Sequence, residues 1–507
     1  MPKIPSLLAP LLLAGSLSVS ALELPVLSTV KLGSFDSGAA EMLDYDPVTK
    51  RVFATNSETA SISVIDISKP EAAALLKEIS LAEYGDSPTC VSTKNGLVAV
   101  TVAAADKQLP GKIVFFTTDG EFVSAHETGA LPDNLTFSPD GKHCVVANEG
   151  EPSDDYKTDP EGSISIVEIA DGKPTGITTA TFAGVTIPEG VRLFGPGASA
   201  AQDLEPEFVA ISGDSKTAFV VCQENNAVAV VDLVGKKVTA LYTLGTKDHS
   251  LAGAGFDASD KSDAVAITPH PVKGLYMPDS MLSFNIGDKG YLITANEGDS
   301  RDYDGFSEET RVADLKLDEA AFPNAAELQA DEALGRLKAT TTLGDTDGDG
   351  DFDEIYSYGA RSFSIWTEDL QLVFDSGDQL ETILAEKLGG DFNSSNDEAD
   401  GFKNRSDDKG PEPEALALGE IDGKLYAFIG LERVGGVMVY DVSDPTAPVF
   451  SGYANTRDFK AAIDSPEAGD LGPEDLEFIP AAESPNGKNL LVTANEVSGT
   501  ITVHEVK

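Results

Sequence analysis

The sequence predicts an all-β fold, a seven-bladed β-propeller with part-helical and acidic loop insertions, and three observations favour it. Short runs rich in Val, Ile, Thr and Phe, bounded by Gly, Pro, Asn and Asp, recur throughout, whereas helical periodicity is scarce. A unit of three such runs starts seven times along the chain. Repeats of roughly 40 or more residues built from short strands are typical of propellers, with a solenoid or a pair of β-sandwiches as alternatives.

The first element is a predicted export signal. Lys3 is followed by the apolar run LLAPLLLAG and then by VSA at positions 19–21, the small-residue pattern that signal peptidases cleave. An uncleaved membrane anchor is the alternative, but Pro10 interrupts a run shorter than the roughly 20 residues that span a bilayer. We therefore predict a signal peptide over residues 1–21, no membrane insertion, and a secreted protein in the periplasm or outside the cell.

Residues 23–507 are predicted to form one propeller domain. The segment Leu24–Leu32 precedes the first repeat and suits a strand that completes the last blade and closes the ring. The seven repeats align at the start of their first strand on Glu41, Thr89, Asp133, Glu207, Asp263, Glu414 and Glu474.

Two insertions interrupt the repeat at about 298–350 and 391–411. The first contains a helix-like stretch rich in Ala, Leu and Glu over 318–338, followed by a Gly/Asp cluster. Long loops in a regular scaffold are more often functional than accidental. Both insertions are expected to project from the blades rather than form separate domains.

The charge balance restricts the possible partners. The chain has 85 acidic and 36 basic residues, a formal net charge of -49. Nucleic acid and anionic membrane surfaces would be repelled, so neither is an expected partner. The acids indicate either a solvated, halophile-like surface or binding of divalent cations. Cys90, Cys144 and Cys222 are too far apart in sequence to suggest a disulfide framework and are interpreted as buried apolar residues.

Six of the seven aligned residues at the start of the first strand are acids. In a propeller the innermost strands line the central channel, so these side chains would form a ring of carboxylates at its mouth, and a bound cation would offset their repulsion. The alternative is that they point outward and cap neighbouring strands. A second set of acids follows the second strand and converges on the same face: Glu149, Glu224, Glu297, Glu432 and Glu496. The predicted metal ligands at the mouth are Glu149, Glu207, Asp263, Glu297, Glu414 and Glu474.

The strongest local motif is the loop DTDGDGDFDEIY, beginning at Asp345. It matches the Ca²⁺ loop of an EF-hand except at the twelfth position, where Tyr356 replaces the bidentate Glu. Oxygen-only ligands favour Ca²⁺ over zinc or copper, and a solvated acidic loop is the alternative. The predicted ligands are Asp345, Asp347, Asp349, Asp351 and Asp353.

Basic residues within these acidic loops are candidates for holding an anion. An Arg beside Ca²⁺-bound carboxylates can grip a phosphate or carboxylate with two hydrogen bonds, although neutralising nearby acids is the simpler role. The sequence has no nucleophile elbow, HExxH, CxxC or phosphate-binding glycine loop. The candidate catalytic residues are therefore Glu297, Arg301, Arg405 and Arg433.

Three long motifs carry a family resemblance: VVANEGEPSDDYKTDPEGSISIVEI, LITANEGDSRDYDGFSEETRVADL and RSDDKGPEPEALALGEIDGKLYAFIGLERVGGVMVYDV. The chain resembles the choice-of-anchor I family, which includes mesenchyme-specific cell-surface glycoproteins, and some of whose bacterial members carry the name alkaline phosphatase. The resemblance implies a secreted or surface-displayed propeller domain. Its motifs fall on Glu149, Glu297, Arg301, Arg405, Glu414, Glu432 and Arg433, among others.

The expected function is that of a secreted Ca²⁺-binding propeller whose acidic loop face engages polysaccharide, mineral or another surface protein. The alternative is a Ca²⁺-dependent phosphoesterase, resembling an alkaline phosphatase or a phytase, in which metal ions polarise the phosphoryl group and an Arg steadies the developing charge. A metal-only hydrolase needs no serine or histidine, so the sequence leaves open whether the protein is an enzyme.

Overall fold

The computed structural model describes residues 21–507, and the predicted signal peptide lies outside them except for its last residue. Seven four-stranded antiparallel sheets are present in the described chain. Their innermost strands contact one another in sequence order, and the innermost strand of the last sheet also contacts that of the first. The seven-bladed propeller predicted from the repeat is therefore confirmed.

The strands are numbered in chain order, and blades 1 to 4 take consecutive strands. After β1 (Val26–Lys31), blade 1 comprises β2–β5 (Ala39–Asp46, Arg51–Asn56, Ser61–Asp66, Ala74–Ser80). Blade 2 comprises β6–β9 (Ser87–Lys94, Leu97–Ala103, Pro110–Thr117, Phe122–Ala130). Blade 3 comprises β10–β13 (Pro132–Phe137, His143–Asn148, Ser163–Ala170, Lys173–Thr181), and blade 4 comprises β14–β17 (Val209–Ile211, Thr217–Cys222, Ala227–Asp232, Lys237–Thr243).

Small strands that belong to no blade precede blade 5 or interrupt it. These are β18 (Thr246–Asp248), β19 (Lys273–Leu275), β22 (Asp302–Tyr303), β23 (Phe306–Ser307), β24 (Glu309–Arg311), β25 (Lys338–Thr340) and β26 (Tyr356–Ser357). The blade itself comprises β20 (Met281–Ile286), β21 (Lys289–Asn296), β27 (Ser362–Thr367) and β28 (Leu372–Asp375).

Two further blades and three α-helices follow, and four short 3₁₀-helices also occur in the described chain. Blade 6 comprises β29–β32 (Pro413–Ile421, Lys424–Leu431, Val437–Asp441, Val449–Ala454). Blade 7 comprises β33–β35 (Pro473–Ile479, Leu490–Asn495, Thr500–Glu505) together with β1. The helices are α1 (Ala200–Asp203), α2 (Ala325–Leu328) and α3 (Gln379–Leu388). None of the helices in residues 21–507 has the length and hydrophobicity that crossing a bilayer requires.

Hydrophobic packing between blades explains why the middle strands read as continuous apolar runs. Strand β7 (LVAVTVA) is buried along its whole length because its two faces pack on different blades. Val98 and Val100 join a cluster with Phe53 and Ile62 of blade 1, whereas the alternate residue Ala99 packs with blade 3. A sheet covered on both faces needs no polar alternation. The three cysteines are unpaired and buried in these interfaces, as the sequence predicts.

The first insertion contains less helix than the sequence suggests. Only Ala325–Leu328 of the helix-like stretch 318–338 is helical, and turns make up most of the rest. The Gln329 side-chain amide donates to the carbonyls of Val312 and Leu315, and the chain then turns at Gly335, where a side chain would collide with the Gln329 backbone. Leu334 and Leu337 are buried in a cluster with Phe256, so tertiary contacts override the local helix propensity.

Ring closure depends on β1. It pairs antiparallel with β35, with Val30 opposite Ile501, and Val30 packs into the cluster that joins blades 7 and 1. The prediction that Leu24–Leu32 completes the last blade is confirmed. The outer strand of blade 7 therefore comes from the beginning of the described chain, and it pairs with β35 near the end of that chain.

We predict that Val30→Ala destabilises the ring more than Val26→Ala does. Val30 is 8% exposed, whereas Val26 on the same strand is 44% exposed. Truncating the buried residue is expected to lower the free energy of unfolding by about 2 kcal/mol, and the control by less than about 0.5 kcal/mol. Urea denaturation followed by tryptophan fluorescence measures both, and equal effects would show that β1 does not close the core.

Candidate functional site

The mouth of the channel is built by a repeated strand start. The inner strands of blades 3, 6 and 7 begin with Pro132, Pro413 and Pro473, each followed by an acid. Each proline pairs with the last residue of the second strand, and a break in register follows immediately. This pairing sets the acid after the proline beside the residue after the second strand. The two recurrent acid sets therefore meet on one face, as the sequence predicts.

The prediction that Asp263 begins the inner strand of blade 5 was wrong. Asp263 is exposed and lies in an irregular segment before β19, where the nearby Thr268 forms only an isolated bridge with Phe256. The inner strand of this blade is β20, and Asp279, two residues before Met281, takes the position at the mouth. The run DAVAITPHP imitates a strand start because it carries the same acid and β-branched pattern, but Val265 and Ile267 pack on the cluster that blades 5 and 6 form with α3.

The ring acids are close enough to oppose one another's ionisation. Burial raises the pKa of Glu41 to about 8, with added repulsion from Glu496 and Asp133. Burial, followed by repulsion from Glu496 and Asp279, holds the pKa of Glu474 well above its usual range. Burial likewise raises the pKa of Asp133, to about 7. These carboxyls come from blades 1, 3, 5 and 7, so the ring converges on one space.

Blades 5 and 6 bring three carboxylates together. Oxygen atoms of Asp279, Glu297 and Glu414 lie within 4.8 Å of one another. Glu414 is 6% exposed, and its Oε2 has no hydrogen-bond partner. Glycines allow the close approach of Glu297, since a side chain at Gly359 would collide with the Glu297 carbonyl. Three oxygens at this separation fit a Ca²⁺ ion, which binds oxygen at 2.3–2.6 Å.

A second group of acids in the same region already has cations from the protein. Lys409 Nζ lies 2.5 Å from Glu297 Oε1 and 3.0 Å from Glu412 Oε2. Glu412 also pairs with Arg405 at 2.6 Å and with Arg433 at 3.3 Å. Although burial opposes the charge of Glu412, these three cations lower its pKa to about 2. Lys409 and Arg405 belong to the second predicted insertion, which therefore packs into the mouth.

Arg301 is placed differently from Arg405 and Arg433. It is 1% exposed, and it forms ion pairs with Asp203 and with Glu205, the latter at 2.8 Å. Its guanidinium also stacks on the ring of Phe194, 4.6 Å from the centroid. These contacts are those of a structural ion pair that fixes the loop before blade 4. Arg433, 30% exposed in its side chain, is the most accessible of the three predicted arginines.

The acidic loop in the first insertion brings together some, but not all, of the five carboxylates predicted as Ca²⁺ ligands. Asp345, Asp347 and Asp353 have oxygens within 4.8 Å of one another. Asp345 accepts hydrogen bonds from the backbone amides of Gly348 (2.7 Å) and Gly350 (3.1 Å), which curls the loop around its first carboxylate. Asp351 groups instead with Asp353 and Asp318, and Asp349 belongs to neither group.

Sequence reasoning missed Asp279, Asp318 and the pairing of Lys409. The Pro-Asp dipeptide before β20 was the signal for Asp279, because it repeats the Pro-acid start of the other blades. Asp318 gave no comparable signal. It reaches the acidic loop through backbone hydrogen bonds between Phe352 and the segment around Lys316, which only the fold brings together.

The sequence is similar to a protein family and to named relatives. The model of the choice-of-anchor I domain family matches residues 41–445. Gigasin-3a of Magallana gigas is 31% identical over 191 residues, which cover 36% of this chain and 67% of that protein. The mesenchyme-specific cell surface glycoprotein of Strongylocentrotus purpuratus is 27% identical over 281 residues, 48% of this chain and 35% of that protein. This chain therefore spans about a third of the length of that relative.

A solved structure of Kuenenia stuttgartiensis hydrazine synthase aligns with 93% of this chain and 96% of its own, with a TM-score of 0.48 and 12% identity. Neither of these two relatives is named an alkaline phosphatase, so the predicted likeness to that enzyme has no support from them.

We predict that the metal-free protein loses stability as the pH rises from about 4.5 to about 8. Glu41 and Glu432 have pKa values raised by burial from 4.5 to about 8, so the folded state binds their protons more tightly than the unfolded state. The stability that this protonation contributes is complete below pH 4.5 and is lost as the pH passes 8. Melting temperatures in chelator across this range measure the effect.

The matched variants are Glu41→Gln at the mouth and Glu83→Gln at an exposed position. The first is expected to flatten the pH dependence and to raise the metal-free melting temperature at pH 8, because the amide cannot ionise. The second should follow the unmodified protein. A Glu41→Gln profile that matches the control would show that the ring carboxyls do not govern this pH response.

Proposed function

The chain belongs to the choice-of-anchor I domain family, and from that premise we propose that it is an extracellular or surface-displayed Ca²⁺-binding protein. Its mouth carboxylates hold Ca²⁺, and the bound ion engages an anionic group on a polysaccharide, a mineral or another surface protein. The family and the cell-surface glycoprotein relative support the location.

The observation that carries the proposal is the unpartnered Glu414 Oε2 beside Asp279 and Glu297. A buried acceptor without a donor is costly, and three carboxylates in contact repel one another. Lys409 offsets part of the charge of Glu297 through Oε1, which leaves Asp279 and Glu414 without a cation. A divalent ion with oxygen preference satisfies all three groups at once.

Charge explains why the ion would also govern partner choice. A protein with a formal net charge of -49 repels anionic surfaces. A Ca²⁺ ion at the mouth reverses the sign locally, and its remaining coordination positions accept carboxylate, carbonate, sulfate or phosphate oxygens. Arg433 pairs with Glu412 and Glu432 in the neighbouring group of acids and adds a directional donor for such a group.

The loop around Asp345 is proposed as a second, weaker Ca²⁺ site. Its carboxylates are largely exposed and lack the bidentate Glu that closes an EF-hand loop. Because this loop offers fewer strong ligands and its carboxylates are hydrated, its affinity for Ca²⁺ is expected to be lower than that of the buried mouth. Asp318 adds a carboxylate from outside the loop.

We predict that Ca²⁺ raises the melting temperature and that Glu414→Gln removes most of this effect. An ion that binds only the folded state, present at about 100 times its Kd, stabilises that state by about 2.7 kcal/mol. Replacing a ligand carboxylate by an amide removes one negative charge from the site. Calorimetry of chelator-treated protein with Ca²⁺, Mg²⁺ or matched ionic strength measures the difference, with exposed Glu386→Gln as the control. Equal stabilisation by all three salts would contradict the site.

We predict that the purified protein does not hydrolyse a chromogenic phosphomonoester or phytate at neutral or alkaline pH, with or without Ca²⁺. Arg301 and Arg405 already pair with carboxylates, so little positive charge remains for a developing phosphoryl charge. Phosphate release is the measurement. Chelator-sensitive turnover that falls at least about a hundredfold, a loss of roughly 2.7 kcal/mol of transition-state stabilisation, in folded Arg433→Ala would replace the binding role with a phosphoesterase.

A further inference from the structure

A second group of three carboxyl groups lies beside the proposed ion at the mouth. Oxygen atoms of Glu297, Glu412 and Glu432 lie within 4.8 Å of one another. The first group, at Asp279, Glu297 and Glu414, has the same spacing. Because Glu297 belongs to both groups, the two positions are adjacent. Glu412 is fully buried, and Glu432 is 7% exposed.

The ammonium group of Lys409 already lies in this second group. Its Nζ is 2.5 Å from Glu297 Oε1 and 3.0 Å from Glu412 Oε2. These separations are close to the distance of about 2.3–2.6 Å at which Ca²⁺ binds oxygen. A metal ion at the same place would meet the ammonium charge at short range, so the ion and the ammonium exclude each other.

The turn that carries Lys409 is held rigidly. Arg361, which is 5% exposed, donates hydrogen bonds to the carbonyls of Ser406 (2.8 Å) and Asp408 (2.6 Å). Gly410 follows with a φ of 74°, a conformation that glycine adopts without strain. The side chain of Lys409 is 12% exposed. Its ammonium is therefore a permanent part of the mouth.

The second group keeps an oxygen that could ligate an ion. Glu432 Oε1 accepts a hydrogen bond from Asn396 Nδ2 at 3.3 Å. Glu432 Oε2 lies 3.0 Å from Arg433 Nε, yet it has no hydrogen-bond donor. A buried carboxylate oxygen without a donor retains its capacity to bind a cation. The three carboxyl groups thus have the arrangement of a cation site in which Lys409 replaces the ion.

We propose that Lys409 determines how many divalent ions the mouth holds. Its ammonium takes the place of a second ion, so that the mouth accepts only the ion at Asp279, Glu297 and Glu414. The inference rests on the proposed function for that first ion. In enzymes with two neighbouring metal ions, the pair stabilises the attacking and leaving oxygens together. Lys409 leaves room for one ion, which suits the binding of an anionic group rather than that chemistry.

The test counts the Ca²⁺ equivalents that the mouth binds, in the full chain with its exposed loop disabled by Asp345→Asn and Asp347→Asn. Chelator-treated protein is titrated with Ca²⁺ at pH 8 by calorimetry, and equilibrium dialysis checks the count. This background is expected to bind one equivalent. Adding Lys409→Met, which removes the charge but keeps a long side chain, is expected to give two. Lys387→Met, at an exposed position on α3, is the matched control and should leave one.

A further variant locates the added ion. Glu432→Gln removes a carboxylate from the second group only, so it should return the Lys409→Met protein to one equivalent. In the background that retains Lys409, the same change should leave the count at one. A count that stays at two in Lys409→Met with Glu432→Gln would place the added ion elsewhere and overturn the inference.

The remaining outcomes separate this inference from the proposed function. One equivalent with and without Lys409, or two in the background, would overturn the inference and keep the first ion. No equivalent in the background, but one in Lys409→Met that Glu432→Gln removes, would keep the role of Lys409 and overturn the first ion. No bound Ca²⁺ in any protein would overturn both. If Lys409→Met does not fold in chelator, circular dichroism decides, because refolding on addition of Ca²⁺ supports the inference and its absence overturns it.

Discussion

The constraint on which the rest of the structure depends is the repulsion among carboxylates that ring closure forces together. Seven inner strands converge on one channel, and six of them begin with an acid at the same position. Ring closure brings these carboxyl groups close together, since β1 completes blade 7 and its Val30 packs in the cluster that joins blades 7 and 1. Protonation of these carboxyls, or positive charge beside them, therefore stabilises the closed ring.

The two insertions differ in how they affect the charge at the mouth. The second insertion returns Lys409 and Arg405 to the mouth, where they pair with Glu297 and Glu412. A tethered ammonium is a permanent counter-ion, and breaking such a buried pair is strongly destabilising. The first insertion instead carries its acids outward on the loop from Asp345, where water screens them. One insertion stabilises the mouth, and the other adds a separate acidic surface.

The sequence predicted the blades better than it predicted the site because blades are built from local patterns. Each strand and turn leaves its own signal, and even the closing strand before Leu32 could be recognised. Blade 5 was harder, since Asp263 imitates a strand start while the true start at Asp279 follows a long irregular segment. The pairing of Lys409 with Glu297 depends on a loop that returns over a distance of 112 residues, which no local pattern encodes. Contacts of this kind are decided by tertiary packing.

The mouth carries carboxylates where apolar residues could stand, and the fixed cations of the protein, such as Lys409, neutralise only some of them. Deeper in the channel the inner strands present the acids Asp44, Asp475 and Glu477, whereas Leu43 and Leu135 of these inner strands pack in the core clusters between blades. Well-packed apolar groups are often as stabilising as a buried ion pair, or more so. Carboxylates at the mouth therefore cost stability that the fold alone does not require. Lys409 offsets that cost only on the side of blades 5 and 6, and it leaves Glu414 Oε2, Glu207 Oε1 and Glu224 Oε2 unpartnered. Glu414 Oε2, beside Asp279 and Glu297, is where the proposed Ca²⁺ ion would supply the positive charge that the protein does not.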